Sequence, residues 1–194
     1  ISNQNIIPEK SNKTVLFLWE DMNHRNHAGL FDFSRQLLFN FFKDGQFSSE
    51  DKFNVALYRR KGGNNKAIFT LLNNNFTNDL NLLGKEISDY TPNYDDASNQ
   101  PSADIYRAID EGLNILKKES AENIRMLVII SHGVSSSKSV GGKNDTDDSK
   151  IEALKLKIPV SLIEYNPTTN SRFSSKIVEG TYGEHIITSD YNRA

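Results

Sequence analysis

Thr14-Val-Leu-Phe-Leu-Trp19 is an unbroken apolar run of strand length. A short segment apolar on both faces reads as a central strand covered by helices on either side. The polar turn Glu20-Asp-Met-Asn-His-Arg25 ends it. From about Ala28 to Lys43, the residues Leu30, Phe33, Leu37, Leu38, Phe41 and Phe42 recur at spacings of three and four. That period predicts a helix with one apolar face, stopped by Asp44-Gly45. Phe53-Asn-Val-Ala-Leu-Tyr58 alternates and predicts a strand. Gly62-Gly-Asn-Asn65 is a hairpin signal, and Ala67-Ile-Phe-Thr-Leu-Leu72 is the returning strand.

Asn78 or Asp79 is placed to cap a helix reaching about Asp89, with Leu80, Leu82, Leu83 and Ile87 apolar. Tyr90 to Gln100 is rich in Pro, Asn, Asp and Ser and reads as a loop. Ser102 or Asp104 caps the next helix, whose stripe is Ile105, Ala108, Ile109, Gly112, Leu113 and Leu116. Met126-Leu-Val-Ile-Ile130 is a second fully apolar strand, ending in Ser131-His132-Gly133. Val134 to Asp148 reads as a long exposed loop, with the acidic cluster Asn144-Asp-Thr-Asp-Asp148 as a solvated stretch. A short helix over Ser149 to Lys157 and a strand over Ile158 to Ile163 follow. A helix over Ser171 to Glu179 and a last strand at His185-Ile-Ile187 close the pattern.

Strands alternating with helices predict a doubly wound α/β domain. Its central sheet is mostly parallel, with one antiparallel edge strand from the hairpin and helices on both faces. Residues 1–13 read as a tail and residues 14–190 as the domain. In such sheets ligands sit at the carboxyl ends of the strands. Three polar segments should meet there: Glu20 to Arg25, the loop entering Ser102 to Asp104, and Ser131 to Gly133.

Composition narrows the chemistry. The chain has 194 residues, 23 Lys plus Arg against 25 Asp plus Glu, and no cysteine. Thiolate metal sites, disulfide frameworks and cysteine nucleophiles are excluded. The near-neutral balance argues against nucleic acid, which needs a basic face. The apolar runs are strand-sized, too short to span a membrane.

The order of elements resembles that of a von Willebrand factor A domain over about Thr14 to Thr188. Thr14 to Trp19 resembles the family's first core strand, and Phe53 to Leu72 its early hairpin. Pro101-Ser-Ala-Asp-Ile-Tyr-Arg-Ala-Ile109 resembles its loop-to-helix segment. Met126 to Gly133 resembles its fourth strand, and Glu179-Gly-Thr-Tyr-Gly183 its glycine turn before the last strand. The resemblance implies a protein-binding domain used in adhesion or as an assembly scaffold, and one that sits inside a longer chain or complex. It also implies a metal-ion-dependent adhesion site holding Mg²⁺ or Mn²⁺ by oxygen ligands from three loops, completed by a partner's carboxylate.

Here that motif is degenerate. Asp21-Met-Asn23-His24-Arg25 stands where Asp-x-Ser-x-Ser is usual, and Arg25 offers donors only. Shifting the frame by one gives Glu20, Met22 and His24, with fewer oxygens. The usual Thr position is Ala103, beside Ser102, and the usual second Asp is His132, after Ser131. The expectation is a metal-free face. A Mg²⁺ or Mn²⁺ ion, if bound, would rest on Asp21, Asn23 and Ser102. The expected ligand-binding face is Asp21, Asn23, His24, Arg25, Ser102, Asp104, Ser131 and His132, with Arg25 meeting a partner carboxylate.

Two enzyme readings use the same face. Ser131-His132-Gly133 resembles the His-Gly of caspase-like proteases, but without cysteine only an inactive relative is possible. A serine hydrolase with His132 as base lacks the Gly-x-Ser-x-Gly elbow. His24, His27 and His132 converging on zinc is a third idea, against ordinary loop histidines. Trp19 reads either as a core residue or as an aromatic anchor for a partner.

Overall fold

A computed structural model describes residues 12–21, 29–61, 66–91, 105–132, 146–165, 175–176 and 178–188. Six strands and four helices occur among them: β1 (Lys13–Glu20), α1 (Leu30–Asp44), β2 (Lys52–Lys61), β3 (Lys66–Leu71), α2 (Leu80–Asp89), α3 (Ile105–Leu116), β4 (Ile124–Ser131), α4 (Thr146–Leu156), β5 (Val160–Tyr165) and β6 (His185–Thr188). They form one sheet in the order β3-β2-β1-β4-β5-β6, and only β3 runs antiparallel. The doubly wound α/β expectation holds.

The period-2 geometry of the strands divides the core. Val15, Phe17 and Trp19 of β1 join Phe31, Leu38 and Phe42 of α1 and Leu83 and Ile87 of α2 on one face. Leu16 and Leu18 join Ile105, Ile109 and Leu113 of α3 on the other. Both faces of β1 are therefore dry, which is why its sequence does not alternate. Gly112 lets α3 lie close to the sheet, because a Cβ there would stand 2.9 Å from Leu127 Cδ1.

Trp19 is fully buried and stacks on Phe31 at 4.8 Å between ring centroids. It is a core residue; the anchor reading is corrected, since a partner has no access to it. Asp79 is the N-cap of α2, its carboxylate accepting from the Leu82 backbone N–H at 3.0 Å.

Several boundaries differ from the sequence pattern, among them the end of β2, which runs to Lys61 rather than Tyr58. Lys13, assigned to the tail, is the first residue of β1, and its N–H donates to Asp51 Oδ1 at 2.8 Å. Thr146 to Asp148, read as loop, form the first turn of α4. Two carboxylates there complement the positive end of the helix dipole. β5 begins at Val160 rather than Ile158, because the Ile158 N–H closes α4 on Ala153 O and Pro159 has no N–H to give. It also runs on to Tyr165, bringing Glu164 into the sheet. The Gly62–Asn65 turn and the first part of the expected Ser171–Glu179 helix lie outside the described residues; Ser175, Lys176 and Val178 are helical.

Gly180 and Tyr182 have φ of 81° and 65° in the turn before β6. At Gly183 a Cβ would fall 1.9 Å from the Val160 carbonyl oxygen, so no side chain fits. Among the described residues no helix is long and apolar enough to cross a membrane.

Candidate functional site at the strand ends

β1 lies between β2 and β4, and the helices that follow β1 and β4 pack on opposite faces. The crevice between the carboxyl ends of β1 and β4 is thus the switch point of the sheet. Glu20 ends β1 and Ser131 ends β4. Register places Glu20 opposite Tyr58 of β2, and Ser131 opposite Glu164 of β5. Tyr58, Glu20, Ser131 and Glu164 form one polar row across four strands. All four are 2% exposed or less.

Glu20 is the hub of this row. Its Oε2 accepts from Ser131 Oγ at 2.7 Å and from the His132 N–H at 3.1 Å. Its Oε1 lies 2.8 Å from His132 Nδ1, an ion-pair distance although off the line of a straight hydrogen bond. Burial pushes the Glu20 carboxyl upward, but the His132 charge and the hydrogen bonds from His132 and Ser131 outweigh it, and its pKa falls below the ordinary 4.5. Burial works against a charged His132. The charge and hydrogen bond of Glu20, with the charge of Glu164, overcome that and raise the imidazole above 6.5. The arrangement is a buried carboxylate–imidazolium pair. Tyr58 is driven well above its ordinary value of 10.0 by burial and by the Glu20 charge, and stays neutral. At the far end of the row Glu164 meets His185 Nε2 at 2.6 Å.

Asp21 belongs to a different group. Its carboxylate accepts from the Tyr90 hydroxyl at 2.7 Å and lies 3.6 Å from Arg59 Nε. Burial raises its pKa against the pull of the Tyr90 hydrogen bond and the Arg59 charge. Tyr90 in turn packs on Trp19, on the α1–α2 side of the sheet. Of the expected face, the structure joins Ser131 and His132 through Glu20, and holds Asp21 apart from them. Asn23, His24, Arg25, Ser102 and Asp104 lie outside the described residues, as does His27.

The structure adds Glu20, Tyr58, Glu164 and His185 to the site. Glu20 follows from the period-2 geometry of a strand: Leu16, Leu18 and Glu20 share a face of β1. What that geometry lacks is which strand that face meets. Glu164 was hidden by ending β5 at Ile163, two residues early.

Of the residues expected to hold a divalent cation only Asp21 is described, and its Oδ2 accepts from the Tyr90 hydroxyl. Both oxygens of Glu20 are already taken by donors, one of them an imidazole, where a cation needs free oxygen lone pairs. No group of three or more His, Asp or Glu among the described residues is arranged to hold a metal.

No protein-family model matches the sequence, nor does any curated protein. Solved structures do. A von Willebrand factor type A structure from Catenulispora acidiphila superposes with a TM-score of 0.68 at 7% identity, covering 94% of this chain and 39% of that one. Proximal thread matrix protein 1 from the mussel byssus, in a structure with a zinc-occupied metal-ion-dependent adhesion site, gives 0.62 at 13% identity, covering 94% and 44%. The human COPII-coat protein Sec24c gives 0.65 at 14%, covering 92% and 29%. The fold is that of a von Willebrand factor A domain. This chain spans less than half the length of each of these three proteins.

Proposed function

We propose that the chain is a non-catalytic protein-binding domain of von Willebrand factor A type, used for adhesion or assembly, whose strand-end face works without a divalent cation. The observation that carries this reading is the buried pair of Glu20 and His132 at the switch point. Their charges paired with each other, Glu20 and His132 occupy the place where the fold family resembled here uses a metal. Arg25, five residues beyond Glu20 in the sequence, is then the group that pairs with a partner carboxylate. That matrix and coat proteins share the fold supports an interaction role.

A hydrolase built on His132 is the competing reading. Ser131 donates its hydroxyl hydrogen to Glu20 at 2.7 Å, and the same carboxylate oxygen accepts the His132 N–H, a set of contacts that supports a structural role for the serine. This favours binding over catalysis.

Thermal melts in EDTA and in millimolar Mg²⁺, Mn²⁺, Ca²⁺ and Zn²⁺ test the proposal. A ligand at a hundred times its Kd would stabilise the fold by about 2.7 kcal/mol, a shift of several degrees. The expected result is no shift with Mg²⁺ or Mn²⁺. A shift with either that Asp21→Ala or Glu20→Gln abolishes would overturn it. A shift with Zn²⁺ alone would bring His24 and His27 forward instead.

A further inference from the structure

The face formed by α1 and α2 is remote in kind from the strand-end site, and it carries its own features. A groove of about 750 Å³ runs between the two helices, with Phe39 and Phe42 on one wall and Leu80 on the other. Phe39 is 39% exposed, while Phe42 is buried against the core. Gly84 lines the groove from the middle of α2, and a Cβ built there meets no atom within 4 Å. Glycine is the least favourable residue but proline inside a helix. None of the described residues fills the space that Gly84 leaves. A missing side chain on a helix wall lets a second helix approach closely.

The charge of the groove is positive. Lys43 and Lys85 line it, and the one carboxylate among its lining residues, Asp79, is engaged in capping α2. We infer that the α1–α2 groove docks an amphipathic helix of a partner protein, its apolar stripe lying over Gly84 against Phe39 and Leu80 and its acidic flanks meeting Lys43 and Lys85. Helix-in-groove recognition has this form: apolar anchors every three to four residues for contact, and flanking charges for orientation. This surface is independent of the strand-end reading, and neither depends on the other.

The test uses a labelled synthetic amphipathic helix with a Leu/Phe stripe flanked by glutamates, titrated onto the whole chain by fluorescence polarisation. Its control carries the same stripe flanked by lysines. The glutamate-flanked probe is expected to bind at least about tenfold more tightly than the control. Gly84→Leu should weaken it by about tenfold or more without lowering the melting temperature, because the added side chain enters open space. Gly84→Ala should raise the melting temperature by about 2–4 °C. Lys43→Glu together with Lys85→Glu should invert the preference between the probes. Absent binding of the glutamate probe, equal binding of both probes, or binding indifferent to Gly84→Leu would each overturn the inference.

Discussion

Glu20 Oε1 and His132 Nδ1 stand 2.8 Å apart at the carboxyl ends of two neighbouring parallel strands, with the glutamate 1% exposed. Neither charge would be tolerated there alone. Burying either charge without its partner costs several kcal/mol, about 3–5 when one member of such a pair is removed, so each offsets the desolvation of the other. Glu164 lies two strands from Glu20, roughly 10 Å away by the spacing of strands, and also acts on His132. Glu20 is the direct partner of His132, while Glu164 is itself met by His185 at 2.6 Å.

Stability should therefore peak in mildly acidic solution. The Glu20 pKa is lowered from 4.5, so its contribution is present above 4.5 and lost as pH falls through the lowered value. The His132 pKa is raised from 6.5, so its contribution is full below 6.5 and lost as pH rises through the raised value. Melts across pH 3 to 9, roughly the range in which these groups titrate, should show both limbs. In His132→Gln the alkaline limb should flatten; an unchanged limb would mean that the pair is not what titrates.

Removing one partner should cost more than removing both. His132→Ala leaves Glu20 buried and uncompensated, an expected loss of about 3–5 kcal/mol by urea denaturation. Glu20→Met combined with His132→Leu should recover most of that, since a buried pair replaced by apolar groups is often neutral or stabilising. A double variant as unstable as the single one would show that the hydrogen bonds to Ser131 matter more than the charge.

Trp19→Ala should cost about 3–5 kcal/mol. The indole is fully buried, stacked on Phe31 and edge-on to Tyr90 at 5.7 Å. Tyr90 also holds Asp21, so the void opens beside that carboxylate. Chemical denaturation checks the magnitude, and a loss under about 1 kcal/mol would contradict this packing.

Gly183→Ala should lose about 1–3 kcal/mol, the usual range for forcing atoms into a packed site. The new Cβ meets the Val160 carbonyl, which is backbone and cannot rotate away. The damage should concentrate at β5 and β6, where hydrogen exchange of the Leu162 amide, bonded to Glu184 O, reports it. Protection of that amide equal to wild type would argue against the contact.

Asp79→Ala should destabilise by about 1 kcal/mol, the usual loss of an N-cap. The carboxylate accepts the Leu82 N–H, and the backbone of α2 has no other acceptor for it. Asp79→Ser should retain most of the stability.

The sequence by itself determined the elements whose signal is local. The unbroken apolar run of β1, the alternation of β2, the heptad-like stripe of α3 and the Asp79 cap are short-range patterns, and each stands where the pattern placed it. The hairpin edge followed from Gly62 to Asn65 between two strand patterns. The strand-end site was legible only in part. Ser131 and His132 were visible because they end an apolar run. Glu20 was set aside in favour of Asp21, since the frame Glu20, Met22 and His24 offers fewer oxygens than the frame of Asp21 and Asn23. Glu20 and Asp21 point to opposite faces, and only the strand order decides which face meets β4. Glu164 comes from β5, far along the chain from Glu20, and joins the row through register; His185 of β6 is registered opposite Leu162 and reaches Glu164 only through its side chain. Pairing between distant strands leaves no local period behind it, so the charge pair at the centre of this domain belongs to the tertiary structure.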